Sequence, residues 1–444
     1  MNKFISKFLQ DVCTEVKYKK VHPALTNELK GHIDELIDEY IENGINKEEA
    51  AQKAIKQMGD PLEIGKKLNK THKPKTEWSI LALIVANVFI GTVTFLSIAS
   101  TNTIATSTTS YLAYVIIGLV ACISCYLFDY TKIEKYSLHI FITTICFLFF
   151  SQLSQTKVNG LPFLRIGPFS IMPATLVIPL FLISFAGLLN KWCTDSIKNM
   201  VKLIGIAFIG ILTFLAIPSI ANAIILCCGY LIMFTVALTT KNFKGNKKNY
   251  LLALYGSGIS LVLLPLYFLV AFEPYRMNRL LAFINPNSDP NGSGYQYLML
   301  NKLLSHSKFI GHNESLFMNI NGSNHFTLPE MNTDFAFTYI ISAFGWIAGA
   351  FVIIIFAVTI IRMFFATKKI HSSFGKYIAS SIITVFSLQV FANILMNLGM
   401  FPIIGISLPF ISYGGSNFIT NMILLGLLLS VYRRKDLIII NSKA

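Results

Sequence analysis

Three groups of polar residues lie where the chain leaves or enters long apolar stretches. The first is the carboxylate of Asp334, which ends the run from Leu328 and directly precedes an apolar stretch, with Glu330 and Thr333 close to it in sequence. An ionisable group at the edge of hydrocarbon costs free energy, which makes it a candidate for acid–base chemistry. The alternative is that Asp334 only caps a helix beginning at Phe335. Position alone favours neither.

The second group contains two arginines at the start of a long polar loop. Arg276 and Arg279 are three residues apart and share one face if this stretch is helical. Guanidinium groups bind phosphate or pyrophosphate through paired hydrogen bonds, so the two side chains are candidates for holding such a group. They are equally open to interpretation as solvated loop charges. Gln296 follows in the same loop.

The third group spans residues 393–416, in which glycine and proline are unusually dense for an apolar region. Such residues break helices, and broken backbone at membrane depth is tolerated where it lines a cavity or packs on protein. The segment therefore predicts a cavity, with a seam of small helix-packing residues as the alternative. Its candidate binding residues are Asn393, Pro409, Ser412, Tyr413, Gly414, Gly415 and Ser416.

Metal and disulfide chemistry is not indicated by the histidines and cysteines. His306, His312 and His325 lack the spacing of metal ligands, and no cysteine lies near them. The seven cysteines fall in the N-terminal region or in and beside apolar stretches, so a disulfide framework is not expected. We predict no protein-bound metal site.

The elements that position these groups are membrane helices. The chain is 54% hydrophobic and 13% charged, too apolar for a soluble domain. Each crossing of the bilayer needs about 20 apolar residues. We predict an all-α, polytopic membrane protein with ten spans, at about 78–100, 111–128, 136–154, 169–189, 200–217, 219–239, 250–272, 335–365, 374–400 and 408–432.

The net charge of +15 comes from lysines and arginines clustered in alternate loops, the pattern of the positive-inside rule and not of a nucleic-acid surface. This predicts both termini in the cytoplasm and no nucleic-acid partner. The loop of residues 273–334, between spans seven and eight, then lies outside the cytoplasmic membrane. A connection of that length is typically functional or disordered.

Residues 1–75 differ in composition and predict a small cytosolic helical domain. One stripe at helical spacing is formed by Leu25, Leu29, Ile33, Leu36, Ile37 and Tyr40. Asn46 and the Asp60-Pro61 pair match helix starts. The membrane domain is expected to cover 76–435, followed by a cytosolic tail of 436–444.

The run Leu408-Pro-Phe-Ile-Ser-Tyr-Gly-Gly-Ser416 resembles the signature of the SEDS family (shape, elongation, division and sporulation), typified by RodA, FtsW and SpoVE. Residues from Asn393 onward fit that pattern without a gap. The loop is similar to the family at Arg279, at 286–296 and at 328–335, the segment that holds the family's catalytic Asp. The resemblance extends over about 78–435; residues 1–75 instead resemble a small helical prefix domain of Gram-positive membrane proteins.

This resemblance implies a ten-helix fold and a peptidoglycan glycosyltransferase that polymerises glycan strands from lipid II at the outer face of the cytoplasmic membrane, in cell-shape, division or sporulation wall synthesis. Asp334 would be the general base. Arg276 or Arg279 would neutralise the pyrophosphate leaving group, with a divalent cation, Mg²⁺ or Mn²⁺, as a candidate cofactor. The implied partners are lipid II, a class B penicillin-binding protein and membrane lipid.

Two departures from the family pattern keep other hypotheses open. The family's charged residues at the start of span four are replaced by Thr175 and Ile178, and its glycine-rich loop segment is altered at 305–313. A non-enzymatic SEDS-like scaffold that regulates a cell-wall synthase is therefore one alternative. A transporter of lipid-linked precursors, suggested by the broken spans, is another.

Overall fold

The structure is a computed structural model that describes residues 3–72, 75–101, 108–158, 160–167, 169–193, 197–217, 219–239, 251–252, 255–256, 274–320 and 323–435. Within these residues nine helices are long and apolar enough to cross a membrane, and they correspond to nine of the ten predicted spans. The predicted seventh span, at 250–272, and the tail at 436–444 lie outside the described residues apart from 251–252 and 255–256. The chain is a mostly helical, multi-pass membrane protein.

The chain divides into two compact units, the first of which comprises Met1–Thr76 with short segments at 369–372 and from Tyr432 onward. Its helices are α1 (Lys3–Glu15), α2 (His22–Glu42), α3 (Lys47–Met58) and α4 (Pro61–His72). Their apolar stripes meet in one core that includes Phe8, Val12 and Ile33. The start of α4 follows the predicted pattern, since the carboxylate of Asp60 accepts a hydrogen bond from Leu62 N–H at 3.1 Å.

The second unit contains the membrane helices. They are α5 (Trp78–Ser100), α6 (Thr108–Leu127), α7 (Ser137–Ser151), the short α8 (Pro173–Leu176), α9 (Ile178–Trp192), α10 (Ile197–Ala216), α11 (Ile220–Thr239), α14 (Ala336–Phe344), α15 (Trp346–Lys368), α16 (Ser373–Asn397) and α17 (Gly415–Arg433). The long loop before α14 contains α12 (Pro274–Ile284) and α13 (Tyr295–His306). One predicted span, at 335–365, is broken at Gly345, whose φ of +98° ends α14 before α15 begins.

Burial separates central helices from peripheral ones. Most residues of α9 are buried, including Phe181, Phe185 and Leu189, and α11 packs against α16. Helices α5, α6, α7 and α15 instead expose large apolar side chains such as Phe89 and Phe351 on one side. In a membrane helix an apolar, exposed face is the one that meets lipid.

The long loop is folded. It contains α12 (Pro274–Ile284), α13 (Tyr295–His306) and a hairpin of β5 (Phe317–Ile320) and β6 (Ser323–Phe326). Tyr297, Leu300 and Leu303 of α13 are buried in a core that also takes in Phe335 and Met396. This core fixes the loop to the start of α14 and the end of α16.

Short strands qualify the all-α prediction without changing the fold class. Two small antiparallel hairpins precede α8, formed by β1 (Lys157–Val158) with β2 (Leu161–Pro162) and by β3 (Leu164–Ile166) with β4 (Phe169–Ile171). Both lie in the loop between two membrane helices, where hairpins close a connection with few residues.

Candidate functional site

Asp334 lies at the end of a tight turn that directs its side chain. Glu330 has a φ of +58°, unusual for a residue with a Cβ atom. Its carbonyl accepts hydrogen bonds from the N–H groups of Thr333 and Phe335, both at 3.1 Å. Its carboxylate accepts from Thr333 Oγ1 at 2.6 Å. Glu330 and Thr333, predicted as binding residues, therefore form the turn that presents Asp334.

The carboxylate of Asp334 does not cap α14. Its hydrogen bond comes from Ser407 Oγ, at 3.3 Å from Oδ1, on the segment that follows α16. The residue at the N-cap of α14 is Phe335, which has no side-chain cap. The geometry leaves the carboxylate directed toward 405–407 and not toward the helix, so the helix-cap alternative is wrong and the acid–base role stays a prediction.

The surroundings of Asp334 favour its protonated form. Burial and, secondly, the negative charge of Glu330 raise the pKa of the Asp334 carboxyl to about 6, while Ser407 and the positive charge of Arg279 act in the opposite direction. A carboxyl with this pKa is ionised at neutral pH and still basic enough to accept a proton.

The main chain at Asp334 is held by two buried asparagines of α16. Asn393 and Asn397 both donate Nδ2 hydrogen bonds to the carbonyl oxygen of Asp334, each at 2.9 Å. Asn393 also donates to the carbonyl of Ile406 at 2.7 Å. The amide of Asn393 thus joins the Asp334 turn to the segment after α16; its predicted substrate contact stays a prediction.

The family-like segment 408–416 is a closed turn. Ser412 donates its N–H to the carbonyl of Leu408 at 3.1 Å, and its Oγ accepts from Leu408 N–H at 2.9 Å. Between them Pro409 is buried and Phe410 has a φ of +65°. Tyr413 N–H then donates to the carbonyl of Asn332 at 2.7 Å, which ties this turn to the Asp334 segment.

Two membrane helices pack closely on this turn because small residues allow it. A Cβ atom at Gly91 of α5 would overlap the carbonyl oxygen of Phe410, and one at Gly415 would overlap the Tyr114 ring of α6. The ring of Tyr413 stacks on Phe95, with centroids 5.4 Å apart. Gly414 continues the turn, its carbonyl accepting from Phe418 N–H at 2.9 Å.

Ser416 links the turn to the altered start of span four. Its Oγ accepts a hydrogen bond from Met172 N–H at 2.7 Å. Nearby in sequence, Thr175 is 5% exposed and Ile178 is fully buried. Neutral side chains fit such buried positions without the desolvation cost that a charged pair would carry.

Of the predicted arginines, Arg279 lies on α12 with an exposed side chain. Burial raises the pKa of both Asp334 and Tyr297, and the positive charge of Arg279 partly opposes this rise in each case. The Tyr297 hydroxyl accepts from Ile403 N–H at 2.9 Å and so joins α13 to the segment after α16. Gln296 is half-buried on α13. The side chain of Arg276 lies outside the described residues.

In the described part of the chain, no three histidine, cysteine or acidic side chains lie close enough together to bind a metal ion without other ligands. Mg²⁺ commonly binds through one or two carboxylates together with substrate phosphates. The cation therefore stays a prediction that would require substrate oxygens.

Sequence reasoning missed three residues around Asp334. Ser407 is the donor to its carboxylate, while Asn397 and Thr338 complete the buried network. Asn397 carried a signal, because it lies four residues after Asn393 and hence on the same face of an otherwise apolar helix. Thr338 and Ser407 carried none.

Fold and site together define a multi-pass membrane protein with a carboxyl group at a membrane-edge turn. The family model described as cell cycle protein, for FtsW, RodA and SpoVE, matches residues 75–437. The chain belongs to this family, as the resemblance predicts.

Individual relatives support the same family assignment. The chain is 30% identical over 296 residues to the probable peptidoglycan glycosyltransferase FtsW of Wigglesworthia glossinidia brevipalpis, covering 65% of this chain and 74% of the relative. It is 29% identical over 271 residues to stage V sporulation protein E of Bacillus subtilis strain 168, covering 60% of this chain and 70% of that protein.

Solved structures share the fold. A chain from a peptidoglycan synthase complex that coordinates polymerization and crosslinking superposes with a TM-score of 0.65 at 19% identity, covering 81% of this chain and 98% of that one. The rod shape determining protein RodA of Thermus thermophilus gives 0.57 at 16% identity, covering 81% and 97%.

Proposed function

We propose that this protein is a membrane glycosyltransferase that polymerises peptidoglycan glycan strands from lipid II, with Asp334 as its general base. The observation that carries the proposal is the Asp334 carboxyl, which accepts a hydrogen bond from Ser407, directly before the 408–416 turn, and has its pKa raised to about 6. Relatives named as peptidoglycan glycosyltransferases support the same activity.

The reaction needs a base and a site for negative charge. The acceptor sugar hydroxyl attacks the anomeric carbon of the donor, and the bond from that carbon to the lipid pyrophosphate breaks. Asp334 takes the hydroxyl proton, and the electron pair leaves with the pyrophosphate. Arg279, whose charge already acts on Asp334, would stabilise the departing pyrophosphate together with Arg276. The candidate divalent cation would supply further positive charge at the pyrophosphate oxygens, which would be its main ligands.

Placement in the cytoplasmic membrane with both termini inside belongs to the same proposal, since it puts the 273–334 loop and Asp334 at the outer face. A class B penicillin-binding protein is the proposed partner. The similarity to a chain of a peptidoglycan synthase complex supports an assembly of this kind.

The decisive experiment measures glycan polymer from labelled lipid II with the purified full-length protein, with and without candidate penicillin-binding partners and divalent cations. Wild type is compared with Asp334→Asn. The matched control is Glu314→Gln, which changes an exposed carboxylate of the same loop that forms an ion pair with Lys308 at 3.6 Å.

Polymer from wild type and Glu314→Gln, but at least about 100-fold less from Asp334→Asn, is the expected result. Polymerisation by Asp334→Asn at the wild-type rate would show that Asp334 is not the general base. No polymer from folded wild-type protein with any partner or cation would favour the scaffold hypothesis, and lipid movement across vesicles without polymer would favour transport.

A further inference from the structure

We infer that Asn397, together with Thr338, is a positioning residue for Asp334: it holds the backbone of the proposed base and caps the helix that follows. The inference rests on the proposed function for its kinetic consequence. Its structural part depends only on the buried hydrogen bonds between α14 and α16.

The carbonyl oxygen of Asp334 is held by two side-chain amides. A carbonyl oxygen has two lone pairs, and here both have a donor, Asn393 Nδ2 and Asn397 Nδ2, each at 2.9 Å. The two asparagines are one helical turn apart and fully buried. Because neither amide can exchange these bonds for water, moving the backbone of Asp334 would leave buried donors unpaired.

The start of α14 is held by the same Asn397 side chain. Thr338 is the third residue of this helix, so its N–H has no partner within the helix. Asn397 Oδ1 accepts from Thr338 N–H at 2.9 Å and from Thr338 Oγ1 at 2.7 Å. One side chain of α16 therefore supplies the cap that Phe335 cannot.

The orientation of the Asn397 amide is fixed by its hydrogen-bond partners. Thr338 N–H can only donate, so the amide oxygen must face α14 and Nδ2 must face Asp334. Nδ2 also donates to the carbonyl of Asn393 at 2.9 Å. All the polar atoms of this side chain are thus used within the protein, and none is left to contact a substrate.

The hydrogen bonds from Asn397 to Asp334 and Thr338, called the amide clamp below, fix the position of the proposed base. Asp334 lies two residues before α14, and its carboxylate must meet the acceptor hydroxyl within hydrogen-bonding distance. Positional errors of about 1 Å in a catalytic group cost on the order of 100-fold in rate. Loss of this amide clamp should therefore lower kcat more than it changes KM.

The test compares full-length wild type with Asn397→Leu and Thr338→Val. The matched control is Gln389→Leu, which removes another buried amide from α16, two turns away. Polymerisation kinetics should show kcat lower by about tenfold in Asn397→Leu and about threefold in Thr338→Val, with KM within about twofold. Gln389→Leu should keep wild-type kinetics.

A second readout does not need activity. Carbodiimide modifies protonated carboxyls, so labelling of Asp334 against pH, followed by peptide mass spectrometry, titrates this group directly. Wild type should be half-labelled near pH 6. In Asn397→Leu the midpoint should fall by about half a unit or more, because a displaced carboxyl is better solvated. Glu330 and Arg279, the charges acting on Asp334, are unchanged in all variants.

The two readouts separate the two proposals. A shifted midpoint in a protein whose wild type makes no polymer would leave the clamp in place and overturn the proposed activity. Polymer from wild type with unchanged kcat and midpoint in both Asn397→Leu and Thr338→Val would overturn the clamp. Equal loss of kcat in Gln389→Leu would also overturn it, by attributing the effect to helix packing.

Discussion

Asp334 is the residue on which the proposed chemistry depends, and its environment sets the pH at which it works. The same burial that makes the carboxylate basic also makes its charged form unfavourable in the folded protein. Function and stability should therefore respond to pH in opposite directions at this position.

The first prediction concerns activity. Because the ionised form accepts the proton, polymerisation should fall as the pH drops through about 6, the pKa of Asp334. A pH–rate profile of kcat/KM measures this limb. A profile that is flat down to pH 4.5, in a protein that stays folded, would contradict Asp334 as the base.

The second prediction concerns stability. The pKa of Asp334 is higher folded, at about 6, than its ordinary value of 3.8, so the folded state binds more protons between these values and loses stability as the pH rises through them. Asp334→Asn should be more stable than wild type at pH 7.5, by on the order of 1 kcal/mol since the carboxyl is partly exposed. Thermal unfolding in detergent at pH 7.5 and pH 5 measures this difference, which should shrink at the lower pH. A larger difference at pH 5 would contradict the assignment.

At the scale of elements, the site is formed by the ends of helices and not by their middles. The start of α14, the end of α16 and the turn before α17 meet at Asp334. Chain ends and turns expose backbone groups that must find partners, and here those partners are one another. The turn of 408–412 is in addition packed against α5.

The third prediction tests that packing. Gly91→Ala places a Cβ atom on the Phe410 carbonyl, so α5 or the turn must shift. We expect polymerisation to fall by about tenfold and stability by about 1–3 kcal/mol. Gly205→Ala is the matched control, because its added Cβ meets nothing within 4 Å in α10. There the substitution should be neutral or slightly stabilising. Gly91→Ala with wild-type activity and unfolding temperature would show that the turn has room to move.

At the scale of the molecule, charge distribution and hydrophobicity decide which parts of the chain lie on which side. The loop of 273–334 is long, but its own helices and buried core make it a folded part of the membrane unit. The proposed orientation places this loop outside and the segment around Lys132 inside.

The fourth prediction tests the orientation. The 273–334 loop contains no cysteine, so a cysteine introduced by Ser315→Cys can be followed by peptide mass spectrometry. A membrane-impermeant maleimide added to intact cells should label Ser315→Cys and not Lys132→Cys. Labelling of Lys132→Cys alone would reverse the topology and place Asp334 on the wrong face for an outer-face polymerase.

Sequence by itself determined nine of the membrane spans and the family, because span length and local motifs are encoded in neighbouring residues. Among the described residues nine spans are found as predicted, while the substrate-binding role of the 408–416 turn stays a prediction. The tertiary structure alone decided the partners of Asp334. Ser407 and Asn397 are 73 and 63 residues away in sequence. Contacts at such separations follow from how helices pack, which no local pattern encodes; this is why the folded loop, the break at Gly345 and the buried amide clamp appeared only in the structure.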